Sequence, residues 1–137
     1  MIIRTPTTSD VVKIALLIAP DDVELQAQVV SQWLQQHTQP TFVSLAAVHK
    51  KQVVGYVAAH LTETGLEFDL FKAETPIILE MLWKKILQTY EFEVASLVTD
   101  NPDCFLALHF EPVYVTMHYQ TKDVANDEPV REVSSGT

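Results

Sequence analysis

Apolar residues recur along this chain at intervals that divide it into short elements. Ile2 to Thr5 is a β-prone run. Ser9 or Asp10 then offers a helix N-cap, and Val11, Ile14, Ala15 and Ile18 follow at helical spacing until Pro20. Asp21 and Asp22 open a second helix, in which Val23, Ala27, Val30 and Leu34 form one apolar stripe. Phe42 to Val48 and Val53 to Leu61 read as strands. Only His49, Lys50, Lys51 and Gln52 separate them, which predicts a hairpin. With no Asn-Gly or Asp-Gly pair there, the turn type stays open.

The next run, Leu66 to Phe71, alternates. Phe68 and Leu70 are expected on one face, Glu67 and Asp69 on the other. Thr75 and Pro76 make a strong helix opening, a capping hydroxyl followed by proline at the first helical position. Ile78, Leu79, Leu82, Trp83, Ile86, Leu87 and Tyr90 supply a broad apolar face, with Glu80 and Lys84 paired on the wet side. Phe92 to Val98 reads as a strand and Asn101-Pro102 as the start of a short helix through Leu108. Val113, Val115, Met117 and Tyr119 alternate along a final strand. Residues 123–137 are polar and acidic, and are expected to be a disordered tail behind a single domain spanning 1–122.

A three-strand meander followed by strand, helix and strand again implies an α/β (α+β) domain. Its sheet is mixed and mostly antiparallel, with helices on both faces. The run Leu66 to Phe71 is expected to be central, beside Phe92 to Val98 and parallel to it, because a helix crosses between them.

Composition narrows the partners. The chain has 137 residues and is 47% apolar, enough for one core. Its 18 acidic and 9 basic side chains give a net charge of −9. Such a surface is a poor match for nucleic acid or anionic membrane, and favours a cationic partner such as an amine. The start has no long apolar run behind basic residues, so no secretory signal is expected. A lone cysteine, Cys104, fits a reducing cytoplasm. The five histidines show no HxxxH spacing, so no metal site is expected.

Several local patterns resemble the GNAT superfamily of N-acetyltransferases. Ile2-Ile3-Arg4 followed by Ser9-Asp10 is similar to that family's opening strand and helix cap. Gln52-Val53-Val54-Gly55-Tyr56-Val57 is similar to its third strand. Val98 to Phe105, followed by Leu108-His109-Phe110-Glu111-Pro112, is similar to the segment before its last strands. The resemblance covers about residues 1–122 and implies a sheet of six to seven strands. It also implies acetyl-CoA as a substrate, its arm paired with main chain near Leu70 and Phe71, with Asn101 nearby. The Lys72 ammonium and the Thr75 hydroxyl, beside the free N–H groups of a helix start, are either a replacement for part of a phosphate cradle or simply a solvated lysine and a helix cap. A carboxylate on the fourth strand, Asp69 or Glu67, would take the proton of an attacking amine, Asp69 being the better placed.

Two departures weigh against activity. The family holds the coenzyme A pyrophosphate in an Arg/Gln-x-x-Gly-x-Gly/Ala loop, where glycine lets the backbone approach closely. Here the segment is Phe71-Lys72-Ala73-Glu74-Thr75-Pro76-Ile77, with no glycine and no arginine. Setting Phe110 on the family's Gly-Phe pair places His109 at the glycine. It also places Phe105, which has no proton to give, where a tyrosine acid often stands. Two readings follow. One is an acetyltransferase-like binding or regulatory module, with an unidentified protein or amine as partner and a homodimer as one allowed arrangement. The other is an active N-acyltransferase with an atypical phosphate loop.

Overall fold

The computed structural model describes residues 1–99 and 101–113. Strand β1 (Ile2–Arg4) leads through a 3-10 turn (Thr8–Asp10) into α1 (Val11–Ile18) and α2 (Val23–Gln36). The meander β2 (Phe42–His49), β3 (Gln52–Leu61) and β4 (Leu66–Ala73) follows, then α3 (Pro76–Thr89), β5 (Ala95–Ser96) and α4 (Asp103–Leu106).

The sheet runs β1-β2-β3-β4-β5, antiparallel except for the β4–β5 pair, which is parallel. A mostly antiparallel sheet with helices on both faces is therefore present. Its strands number five among the described residues, against the six to seven expected. The proposed last strand from Val113 lies outside those residues, apart from Val113 itself. So does the proposed tail. Among the described residues β4 is an interior strand between β3 and β5, and β3 is the middle strand of the five.

Local chemistry explains the element ends. Asp22 caps α2 by accepting from the Leu25 N–H at 3.0 Å. Thr75 caps α3 by accepting from the Ile78 N–H at 3.3 Å, with Pro76 in the first turn. Arg4 grips Asp10 with two bonds of 2.6 and 3.0 Å, and the Thr7 N–H donates to the same carboxylate at 2.8 Å. The Arg4 bonds hold the Asp10 pKa down at about 2, against the opposing effect of burial. That pair ties β1 to the entrance of α1. Between β2 and β3 the turn has only two residues, Lys50 and Lys51, both at positive φ (50° and 65°). This is the backbone of a tight hairpin carried by residues other than glycine.

The helices divide between two faces. Val11, Ile14, Ala15, Val29 and Trp33 from α1 and α2 pack on Ala46, Val53, Tyr56 and Ala58, with Leu70 against them. On the other face Leu82 and Ile86 of α3 pack on Val43, Leu45, Ala47, Val57, Ala59 and Leu66. In α2 the buried row is Val29 and Trp33, whereas Val23 is 79% and Leu34 50% exposed. The expected stripe is thus displaced by about one residue. Indole burial removes more apolar area from water than leucine does, and Trp33 takes the inner position.

Strand β4 departs from simple alternation. Ala58 pairs with Leu70 while Ala59 pairs with Phe68, so Asp69 is the extra residue of a bulge. Leu66, Phe68, Phe71 and Ala73 face α3, and Leu70 faces α1 and α2. Phe68 and Leu70 therefore do not share a face, as strict alternation required.

Candidate active-site cleft

Strands β4 and β5 pair only at Leu66–Ala95 and Glu67–Ser96. Beyond Glu67, β4 has no strand neighbour on that side among the described residues. A cleft of about 750 Å³ opens there, lined by the run Asp69 to Pro76 and, across the gap, by Val98, Thr99, Asn101, Cys104 and Phe105. Gly65 lies at the closed end of this opening. Its backbone lies against Val94, whose carbonyl accepts from the Leu66 N–H at 2.8 Å.

Six of the seven site residues named from the sequence line this cleft: Asp69, Leu70, Phe71, Lys72, Thr75 and Asn101. Glu67 is exposed and lies outside the lining, at the paired end of β4. Asp69 reaches the cleft because the bulge places it there. Its Oδ2 is 2.7 Å from Nδ1 of His60 on β3. Sequence spacing alone did not single out His60. The signal that could have found it is the meander, which sets β3 beside β4 and brings the end of one against the start of the other.

The wall opposite β4 is aromatic. Phe105 is 5% exposed and meets Phe71 edge-on at 5.4 Å across the gap. Phe110 packs on Phe105 at 5.8 Å and on Trp83 at 4.9 Å. His109 makes this return possible at φ 72°, a left-handed conformation that glycine adopts more readily. Helix α4 is a single turn, Asp103–Leu106, shorter than the run through Leu108 read from the sequence. The expected strand from Phe92 to Val98 is likewise reduced to Ala95–Ser96, because the chain leaves the sheet as the cleft opens.

At the far lip, the start of α3 is poorly equipped to hold an anion. The Glu74 N–H is spent on the Val54 carbonyl at 2.9 Å, Pro76 has no N–H, and the Ile78 N–H is spent on the Thr75 hydroxyl. Lys72 turns its ammonium to the Ile18 carbonyl at 3.4 Å, the negative end of α1. Glu74 itself is exposed at the lip. On the other side of the sheet, Tyr56 is buried, and burial, then the charge of Asp69, pushes its pKa up. The phenol stays protonated. Trp33 Nε1 is buried without an acceptor among the described residues, and Trp33 lines a small cavity of about 10 Å³ together with Tyr56 and Asp69.

No protein-family model and no curated protein matches the chain. Solved structures do. A mutant form of the BH1408 protein from Bacillus halodurans is 16% identical. It matches with a TM-score of 0.70 over 88% of this chain and 99% of that one. A predicted acetyltransferase from Clostridium acetobutylicum, solved with acetyl-CoA, is 13% identical, with a TM-score of 0.66 over 90% and 97%. AAC(6')-Iy, solved with the bisubstrate analogue CoA-S-monomethyl-acetylneamine, is 12% identical, with a TM-score of 0.62 over 87% and 96%. At these identities the likeness is one of fold. No helix among the described residues is long and apolar enough to cross a membrane.

Proposed function

Starting from a chain with the GNAT acetyltransferase fold, we propose an acetyltransferase-like protein whose grip on acetyl-CoA is impaired or absent. Its cleft would serve as a binding or regulatory module for an amine or a protein partner. One observation carries this reading: the start of α3. Pyrophosphate binding there needs several free N–H groups and close backbone approach. Phe71 to Ile77 offers no glycine, loses the donors of Glu74 and Pro76, and adds the carboxylate of Glu74, and the next N–H, that of Ile78, is spent on Thr75. Phe105 supplies no proton for a leaving thiolate. Calorimetric titration of the unmodified chain with coenzyme A tests this.

A second reading, N-acyl transfer with the donor held by its pantetheine arm alone, draws support from the open β4–β5 cleft and from Asp69 within it. In that reading the unpaired edge of β4 beside Leu70 and Phe71 offers main-chain hydrogen bonds to the arm. Lys72 and Thr75 stand along the same wall, and Asn101 faces them across the gap. Acetyl-CoA would be the substrate, and a homodimer is compatible with either reading.

A further inference from the structure

His60 and Asp69 form a dyad that the bulge creates. In the β3–β4 register His60 stands opposite Glu67 and Ala59 opposite Phe68, so Asp69 has no partner of its own across β3. It meets His60 instead, at 2.7 Å. The Phe42 ring leans on the imidazole at 5.4 Å, and the side chains of His60 and Asp69 are 27% and 36% exposed. A carboxylate that accepts from Nδ1–H fixes the imidazole tautomer and leaves Nε2 with a free lone pair. Imidazole is also the side chain suited to taking a proton near neutral pH, more so than a carboxylate.

We infer that His60 is the proton acceptor for an amine entering the cleft beside Asp69, and that Asp69 is the residue that positions it. This rests on the acyl-transfer reading and deepens it. As the amine nitrogen bonds to the acyl carbon, its proton passes to Nε2 of His60. The carbon–sulfur bond breaks, and the thiolate leaves with its electron pair and takes a proton from water, since Phe105 has none to give; the imidazolium returns its proton to the hydroxide so formed. Asp69 holds the imidazole throughout by accepting from its Nδ1–H.

p-Nitrophenyl acetate probes the dyad without calling on the phosphate site. The Nε2 lone pair attacks the ester carbonyl and p-nitrophenolate leaves with the electron pair of the broken C–O bond. Water then hydrolyses the acetylimidazole to acetate. His60→Gln is expected to lower p-nitrophenolate release at pH 7.5 by about tenfold or more. Asp69→Ala should lower it severalfold, whereas His49→Gln should stay within about twofold. Nitrogen-15 spectra of the folded proteins give a second readout. His60 should be the Nδ1–H tautomer in the wild type and should lose that preference in Asp69→Ala. A wild-type rate no higher than that of His60→Gln, or an Nε2–H tautomer in the wild type, would overturn the inference. Failure of coenzyme A to bind leaves these outcomes untouched. Coenzyme A binding and turnover with an inert His60 would keep acyl transfer and remove the dyad.

Discussion

Phe68 and Leu70, two residues apart on one strand, lie on opposite faces of the sheet. Asp69, the bulged residue between them, reverses the alternation. Phe68 and Phe71 can then stack at 5.1 Å on the α3 side, while Leu70 fills the core under α1 and α2. The bulge also puts a carboxylate into the cleft where the sheet opens. Deleting Asp69 should therefore close the bulge into a regular ladder, with Phe68 still opposite Ala59 and Leu70 still opposite Ala58, each on its present face. The deletion and Asp69→Ala should then each change stability by about 1 kcal/mol or less. Urea unfolding of the two variants checks this, and a loss of about 2–5 kcal/mol on deletion would show that the core depends on the bulge itself.

Gly65 makes the second prediction. A Cβ there would run into the carbonyl oxygen of Val94, which belongs to the backbone and has little room to move. Gly65→Ala should cost about 1–3 kcal/mol by forcing β5 away from β4. Exchange of the Leu66 amide with solvent should speed up in the same variant, since its bond to Val94 is the one disturbed.

The β2–β3 turn carries a strain that can be relieved. Lys50 and Lys51 both sit at positive φ, where a side chain costs about 1–2 kcal/mol relative to glycine in the same conformation. Asparagine followed by glycine is the pair this backbone favours. Lys50→Asn with Lys51→Gly should raise stability by about 1 kcal/mol, part of the gain going to glycine's greater unfolded entropy. The Lys13 ammonium can still reach the carbonyl of residue 51, a 2.6 Å bond to main chain. A lower denaturation midpoint would contradict the strain argument.

Asp10 sets a pH dependence. Its folded pKa, about 2, lies below the ordinary carboxylate value because Arg4 and the Thr7 N–H bond the charged form. A depressed carboxylate contributes stability that is complete above pH 4 or so and is lost as pH falls through about 2. Asp10→Asn should thus be less stable than wild type at pH 7. The gap should close between about pH 4 and pH 2. Parallel stability curves over that range would show that Asp10 acts through packing alone.

Much of the fold was legible because it rests on local signals. Asp22, Thr75 and Pro76 marked helix starts, and the short polar run His49 to Gln52 marked the hairpin. Less legible were features that tertiary packing decides. The inward row of α2 depends on Trp33 outcompeting Leu34 for the sheet. The bulge at Asp69 leaves no mark on a period-two pattern, since Leu70 is apolar on either face. Site residues were readable where they follow one another along β4. His60 was not, because its role depends on which strand it pairs with. The left-handed His109 agrees with reading that position as a glycine in the related pattern, which no propensity would suggest.

The central claim is that the start of α3 no longer grips a pyrophosphate. Titrating the unmodified chain with coenzyme A and acetyl-CoA, by heat and by thermal unfolding, measures it most directly. A ligand that binds the folded state stabilises it by RT ln(1 + [L]/Kd), about 2.7 kcal/mol at 100 times Kd. The account predicts no measurable heat and no rise in Tm at tens of micromolar ligand, well within the usual range of enzyme KM values of about 1 μM to 1 mM. Glu74→Gln should strengthen any residual binding, since it removes a like charge at the lip without changing shape. Saturable, micromolar binding by the unmodified chain would contradict the account.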